Sequence, residues 1–257
     1  MSYLVVCAVA FLASGLTFFS GFGLGTLLLP AFALFFPVEQ AVAMTAVVHF
    51  LNGLFKLGLV GRHADRRVVL RFGLPAVAAA LAGAAVLVRL SGVEPVLNYG
   101  LAGREVSVTA VKLVVGTLLL LFAVVELVPR LRDATVGPEY LPLGGLASGF
   151  FGGLSGMQGA LRSAFLARAG LSKEAFVATG VVIACLIDVS RLGVYSRSLL
   201  AEGVRLDYGL LGAAVAAAFA GALVGNRFLK KLTMRGVQRV VAGLLFLVAV
   251  GLLSGIL

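Results

Sequence analysis

Four polar residues share one face of an apolar stretch in the first half of the chain: Thr45, His49, Asn52 and Lys56. Their spacing of i, i+4, i+7 and i+11 is that of one side of an α-helix. An unperturbed imidazole titrates at about pH 6.5, so His49 is suited to carrying a proton or hydrogen-bonding an oxyanion. The structural alternatives are a histidine bonded to a nearby carbonyl and a Lys56 that snorkels to the helix end.

A second polar group lies in the other half of the chain. Asp188 and Arg191 are i, i+3 apart, within reach of each other as an ion pair on one helix. Asp188 joins His49 as a candidate for proton coupling, and Arg191 is a candidate for binding an anion. The alternative is a purely structural pair, because a carboxylate that neutralises Arg191 removes its attraction for a substrate.

Two glycine-rich segments, at 20–25 and 152–159, interrupt apolar sequence. Glycine lets backbone N–H groups approach a ligand, and a helix that follows points its positive N-terminal end at it, so such a tip favours anions. Tight helix packing or a simple turn is the alternative interpretation. The candidate binding residues of the two tips are Gly23, Gly25, Thr26, Ser155 and Gly159.

Arg162 occupies the first turn after the second tip, where a cation opposes the helix dipole. An oxyanion held by Arg162, the Gln158 side chain and the tip N–H groups would account for it. Pairing with Asp188 or another carboxylate, or snorkelling, are the alternatives.

The composition shows whether these residues belong to a soluble or a membrane protein. The chain has 257 residues, of which 61% are hydrophobic and 12% charged, with a mean hydropathy of +1.10. A soluble domain carries roughly 25% charged residues, so the low charged fraction of this chain indicates a membrane protein. In a membrane protein the net charge of +10 does not indicate a nucleic-acid partner. Two separated cysteines exclude a disulfide scaffold and a Cys-x-x-Cys metal or redox site, and no cofactor is implied.

Six apolar runs come close to the ~20 residues that cross a bilayer. They lie at 38–60, 68–89, 107–128, 172–195, 206–226 and 238–257. The stretches 3–36 and 140–170 carry the glycine tips and leave too few residues after each tip to cross. We therefore predict an all-α integral membrane protein of about eight to ten membrane segments, including two broken or re-entrant hairpins.

The two halves of the chain resemble each other. At an offset of 134, residues 12–48 align without gaps onto 146–182 with eleven identities, among them Ser14 with Ser148 and Gly25 with Gly159. This predicts an internal duplication within a single membrane domain, 1–257, with repeats at about 3–128 and 140–257.

Basic residues orient the repeats. Thirteen fall on one side of the predicted spans and four on the other, which assigns the richer side to the cytoplasm. The richer side holds Arg62, Arg66, Arg67, Arg71, Arg130, Arg132, Arg168, Lys173, Arg227, Lys230, Lys231, Arg235 and Arg239, and the other Arg89, Arg104, Arg197 and Arg205. The helix at 38–60 then runs inward and its mate at 172–195 outward, so the repeats are predicted to be inverted.

The motifs also resemble a known family. Ser14-Gly15, Phe19-Ser20-Gly21-Phe22-Gly23, Gly25 and Pro30, followed by Ala41-Val42-Ala43-Met44-Thr45, look like the first-repeat signature of the TauE/SafE family of sulfite and organosulfonate exporters. Ser148-Gly149, Gly153-Leu154-Ser155-Gly156 and Gly159 echo it. The resemblance implies a permease of the cell membrane whose partners are a small sulfur oxyanion or sulfonate and the lipid bilayer.

Alternating access between inverted repeats is the mechanism that this plan predicts, with coupling to protons as a hypothesis. An anion channel remains an alternative, as does a homo-oligomer. Gly153-Leu154-Ser155-Gly156 also fits the nucleophile motif of intramembrane serine hydrolases, but both histidines, His49 and His63, precede the serine, so we expect no enzyme.

Overall fold

The computed structural model describes residues 1–16, 24–101, 104–132, 134–201, 206–228 and 234–257, without the side chains of 101, 104, 132, 199–201, 226–228 and 234–241. Helices dominate these residues, and one two-stranded antiparallel sheet is present. The helices are α1 Ser2–Leu16, α2 Leu24–Ala33, α3 Val38–Val60, α4 Arg66–Ser91, α5 Ala110–Leu127, α6 Pro129–Arg132, α7 Leu141–Ser155, α8 Gly159–Leu166, α9 Lys173–Ala201, α10 Tyr208–Phe228 and α11 Met234–Leu253.

Among the described residues, five helical stretches are long and apolar enough to cross a membrane. They are Val38–His63, Arg66–Ser91, Ala110–Leu127, Lys173–Ser198 and Tyr208–Gly225. Each coincides with a predicted span. The sixth predicted span, 238–257, forms α11, whose described side chains begin at Ala242.

The stretches around the glycine tips form pairs of shorter helices. The second pair, α7 and α8, is separated by a break at Gly156, whose φ of +82° is left-handed and ends α7. The helices that follow the tips, α2 and α8, have 10 and 8 residues. At 1.5 Å per residue they extend about 15 and 12 Å, well short of the ~30 Å hydrocarbon core.

Glycines allow α7 to pack directly on α4. Three α7 glycines at four-residue spacing each face an α4 carbonyl oxygen: Gly145 faces Phe72, Gly149 faces Ala76 and Gly153 faces Ala80. A side chain at any of them would collide with backbone. Small residues on one face in this way are a common means of close helix approach in membranes.

The same type of contact joins α1 and α10. Gly221 and Gly225 of α10 lie against the carbonyl oxygens of Phe11 and Gly15 of α1. Gly83 of α4 likewise lies against the backbone of α7 at Phe150. Gly83, Gly221 and Gly225 therefore permit close helix packing.

The two helices that carry the polar side chains, α3 and α9, pack against each other in opposite directions. His49 contacts Asp188, and one turn further along α3, Gly53 lies against the Cys185 sulfur, which is three residues earlier in α9. Asp65 caps the start of α4 by accepting from the Val68 N–H, and its own N–H donates to the Thr179 hydroxyl of α9 at 2.9 Å.

The sheet differs from the sequence-based prediction, which was a loop at 89–106 between the predicted spans 68–89 and 107–128. Strands β1 Leu97–Leu101 and β2 Arg104–Val108 pair with Leu97 opposite Val108, so α5 begins later than the predicted span. The hairpin is tied to the end of α11. Tyr99 donates to the Ser254 carbonyl, and the Lys112 ammonium donates to the carbonyls of Ser107 and Gly255 at 2.7 and 3.1 Å.

Candidate functional site

Asp188 of α9 is the centre of a buried polar cluster. Its carboxylate is fully buried and lies 2.5 Å from Nδ1 of His49, across the interface between α9 and α3. Arg191, one turn along α9, donates from Nε to Asp188 Oδ1 at 2.9 Å. The predicted i, i+3 pair is therefore present, and the two candidates for proton coupling contact each other directly.

Gln158 links this centre to Arg162. The Gln158 amide nitrogen donates to Asp188 Oδ1 at 3.3 Å, and its amide oxygen accepts from Arg162 Nη1 at 3.0 Å. Gln158 directly precedes α8, and both side chains are buried. The break between α7 and α8 thus brings Arg162 toward the carboxylate through a neutral amide rather than by direct contact.

The guanidinium of Arg191 lies against the break at Gly156. A methyl group on Gly156 would come within 2.7 Å of Arg191 Nη1, so glycine is needed here for space as well as for its left-handed backbone. The Gly156 N–H donates to the Gly152 carbonyl at 2.9 Å and so closes α7 instead of facing a ligand.

The first residues of α2 reach the same place. A methyl group on Gly25 would lie 3.0 Å from the Gly156 carbonyl oxygen and 3.6 Å from Cδ2 of His49. Gly25 and Thr26 are both buried. The segment before α2, including the candidate Gly23, lies outside the described residues.

The remaining members of the α3 stripe are also buried. Asn52 accepts from the Ser14 hydroxyl at 3.0 Å. Lys56 is 8% exposed, and its charge interacts unfavourably with that of Arg162. Thr45 is fully buried, and its hydroxyl has no hydrogen-bond partner among the described residues. A snorkelling Lys56 would expose its ammonium group at the helix end, whereas Lys56 is buried.

Ser155 and Gly159 flank the break. The Ser155 hydroxyl donates to the Phe151 carbonyl of its own helix at 3.0 Å, whereas Gly159 is the buried first residue of α8. Neither residue is joined to Asp188 by a hydrogen bond that the structure describes. Their places at the break are those that the sequence predicted.

Sequence reasoning missed two serines that support the site. Ser14 of α1 donates to Asn52, and Ser148 of α7 donates to the Gln158 carbonyl at 3.0 Å. They align with each other at the offset of 134. Their identity across the two halves was the available signal, since a buried hydroxyl kept at matching positions needs a polar partner in each.

Among the described residues of the cluster, basic side chains outnumber the single carboxylate. Arg162 and Arg191 contribute two guanidinium groups, and Asp188 is the carboxylate that both approach, directly or through Gln158. Lys56 lies nearby. A buried guanidinium without full compensation is costly, and an oxyanion is the ligand that would complete it.

Comparison with known proteins gives one match. The family model described as sulfite exporter TauE/SafE matches residues 6–252, nearly the whole chain. No curated protein matches the chain, and no solved structure matches it.

Proposed function

Since the chain belongs to the TauE/SafE family of sulfite exporters, a family of multi-pass membrane transporters and not of enzymes, we propose that it exports sulfite or a related small sulfur oxyanion or sulfonate. The observation that carries this proposal is the buried cluster at the break after α7. Two guanidiniums and one carboxylate meet there, at the approach of Gly25 to Gly156. Buried guanidinium groups of this kind are suited to binding a small oxyanion.

The proposed binding site draws on both halves of the chain. Arg162, Arg191 and Lys56 provide positive charge, and Gln158, Asn52, Thr45, Thr26 and Ser155 provide polar groups close to the cluster. Gly25 and Gly159 lie in the first turns of the short helices, and the candidate Gly23 lies outside the described residues. Helix N-termini favour anions because their first N–H groups have no partner within the helix.

Alternating access between inverted repeats, about 3–128 and 140–257, is the proposed mechanism. Matching pairs of elements support it: α1 packs on α10 as α7 packs on α4, in each case through glycines set against carbonyl groups. α3 and α9, which align with each other at the offset of 134, run in opposite directions, as mates in inverted repeats would.

Re-entrant hairpins are part of this proposal. α2 and α8 are too short to cross the hydrocarbon, and the first turn of α2 and the break before α8 both lie next to the polar cluster. Non-helical backbone at membrane depth is tolerated where protein surrounds it. Both breaks would therefore remain inside the bundle, near the middle of the membrane.

Coupling to protons would act through His49 and Asp188. The 2.5 Å contact between them gives a proton two adjacent sites beside the proposed anion site. Uptake of a proton by this pair would offset one negative charge of the bound anion. Anion and proton would then move together across the membrane.

Transport by the purified protein in liposomes tests the proposal. We expect sulfite flux in protein-containing vesicles and accumulation of sulfite against its gradient when a pH gradient is imposed. Arg168→Gln, at an exposed position after α8, is the matched control for loss of a buried arginine in Arg162→Gln. Flux without accumulation would indicate the channel, and no sulfite flux would contradict the proposal.

A further inference from the structure

Resting on the proposed function, we infer that Arg191 holds the anion directly, at the break beside Gly156, and that Arg162 is a positioning residue that acts through Gln158 and Asp188. The ligand class is an oxyanion that presents two oxygen atoms to one guanidinium edge. Sulfite and sulfonates belong to that class, and halides do not.

The terminal nitrogens of Arg191 carry this assignment. Arg191 is fully buried, yet neither Nη1 nor Nη2 has a hydrogen-bond partner among the described residues. Nη2 lies 2.8 Å from Asp188 Oδ1, but without the alignment of a hydrogen bond. The Tyr195 hydroxyl also interacts with the guanidinium, while its proton is donated to the Gly153 carbonyl.

Terminal N–H groups that make no hydrogen bond on a buried guanidinium point to a ligand. Leaving a buried charged donor unsatisfied costs more than leaving a neutral one, so a folded protein rarely keeps such a group without a reason. An oxyanion that accepts from both terminal nitrogens makes two parallel charge-assisted bonds, the strongest pairing that arginine forms.

The surroundings of those nitrogens suit an anion. Nη1 lies against Gly156, α8 begins three residues later, and Gly25 in the first turn of α2 lies on the carbonyl side of Gly156. The positive ends of two short helices therefore converge beside the guanidinium edge. Neither helix end alone would define a site; the second observation is that the buried terminal nitrogens of Arg191 make no hydrogen bond among the described residues.

Arg162 has a different environment. Its Nη1 donates to the Gln158 side chain, which donates in turn to Asp188 Oδ1, the atom that receives Nε of Arg191. This chain fixes the carboxylate, and the carboxylate fixes the orientation of Arg191. Arg162 therefore affects the anion by directing the guanidinium that binds it.

Sulfite titration of the purified protein, followed by isothermal calorimetry, tests the division of roles. Arg191→Lys keeps the charge but loses the bidentate edge, and we expect sulfite affinity to fall on the order of tenfold or more. Selectivity for sulfite over chloride should fall with it. Arg168→Lys, an exposed substitution of the same kind, should leave both unchanged.

The positioning role is tested by a double-mutant cycle. Arg162→Lys should weaken sulfite binding in the wild-type background but have little further effect in Gln158→Leu, because the same chain of hydrogen bonds is already broken. If Arg162 contacted the anion itself, the loss would be equal in both backgrounds, and that result would overturn the inference.

A second substitution keeps Arg191 in place. Gly25→Ala presses a methyl group toward the Gly156 carbonyl and should reduce affinity, whereas Gly58→Ala, which has no neighbour within 4 Å, should not. If the wild type binds sulfite, and Arg191→Lys and Gly25→Ala both bind it with the same affinity as the wild type, this inference is overturned but the proposed function is not. Absence of sulfite binding by the wild type would remove the proposed function as well.

Discussion

Asp188 is shared by two partners with opposite demands. It accepts from Arg191 and lies 2.5 Å from His49, so its single charge stabilises both a permanent cation and a group that can take a proton. An anion on Arg191 would weaken the hold of that arginine on Asp188. The carboxylate would then favour the protonated state of its pair with His49, which links anion binding to proton uptake.

Removal of the Asp188 charge tests this competition. Asp188→Asn should lower the melting temperature without ligand, because breaking a buried pair costs about 3–5 kcal/mol. The stabilisation by sulfite should become larger than in the wild type, because the asparagine oxygen can still accept from Nε and orient Arg191, whereas no carboxylate charge competes with the anion. Differential scanning fluorimetry measures both quantities.

Glu174→Gln, on an exposed turn of α9, is the control for loss of one carboxylate. A smaller sulfite response in Asp188→Asn than in the wild type would contradict the competition between carboxylate and anion.

His49 is the residue at which proton coupling can be separated from anion binding. His49→Gln keeps a hydrogen-bonding side chain but cannot take up a proton in the physiological range. We expect sulfite transport in liposomes to continue but to lose its dependence on pH. An unchanged pH profile would exclude His49 from coupling, and His63→Gln is the control at an exposed histidine.

Helical spacing predicted the α3 stripe and the Asp188–Arg191 pair, because both depend on one helix alone. The contact between His49 and Asp188 joins residues 139 positions apart and depends on how α3 crosses α9. The bond from Arg162 to Gln158 was not predicted either, since a tip that binds an anion and a tip that is hydrogen-bonded internally have the same sequence.

At the scale of elements, glycine decides how closely the helices approach. The α7 glycines at 145, 149 and 153 set the distance to α4, and the break at Gly156 continues from the same helix. The position of the break beside the polar cluster therefore depends on how α7 packs against α4. A methyl group in this interface should move the break as well as destabilise the fold.

Gly149→Ala measures that coupling. The added methyl group would collide with the Ala76 backbone, and overpacking of this kind costs about 1–3 kcal/mol. Gly193→Ala, in α9 with no neighbour within 4 Å, should be neutral or slightly stabilising because alanine favours the helix. Equal melting temperatures for the two variants would contradict close packing of α7 on α4.

The two-stranded β-sheet is the element that the sequence did not predict. Leu97–Leu101 and Arg104–Val108 are too short and too polar to stand out beside membrane spans, and their order depends on contact with the end of α11 through Tyr99 and Lys112. A hydropathy pattern contains no information on such a contact. The spans themselves were predictable, since about 20 apolar residues in succession have few other structures.

At the scale of the whole molecule, the distribution of basic residues predicts which side faces the cytoplasm. Arg62 and Arg168 lie at exposed positions in the connections after α3 and α8, and Lys173 is the exposed first residue of α9. Glu94 is exposed in the connection after α4. Inverted repeats require the connections after α3 and α8 to share a side and the one after α4 to lie opposite.

Labelling of single cysteines tests this orientation. In a background of Cys7→Ala and Cys185→Ala, Glu94→Cys should react with an impermeant maleimide in intact cells. Ser172→Cys should react only after the membrane is permeabilised. Labelling of both, or of Ser172→Cys alone, in intact cells would contradict the predicted orientation.

The most direct measurement is thermal stabilisation of the wild-type protein in detergent by a panel of anions: sulfite, sulfate, thiosulfate, taurine, acetate, phosphate and chloride. A ligand at 100 times its dissociation constant adds about 2.7 kcal/mol to the folded state if it binds only that state. We expect sulfite or a sulfonate to stabilise the wild type selectively and Arg191→Lys much less. Equal melting temperatures with every anion would contradict the claim that the cluster around Arg191 binds the transported anion.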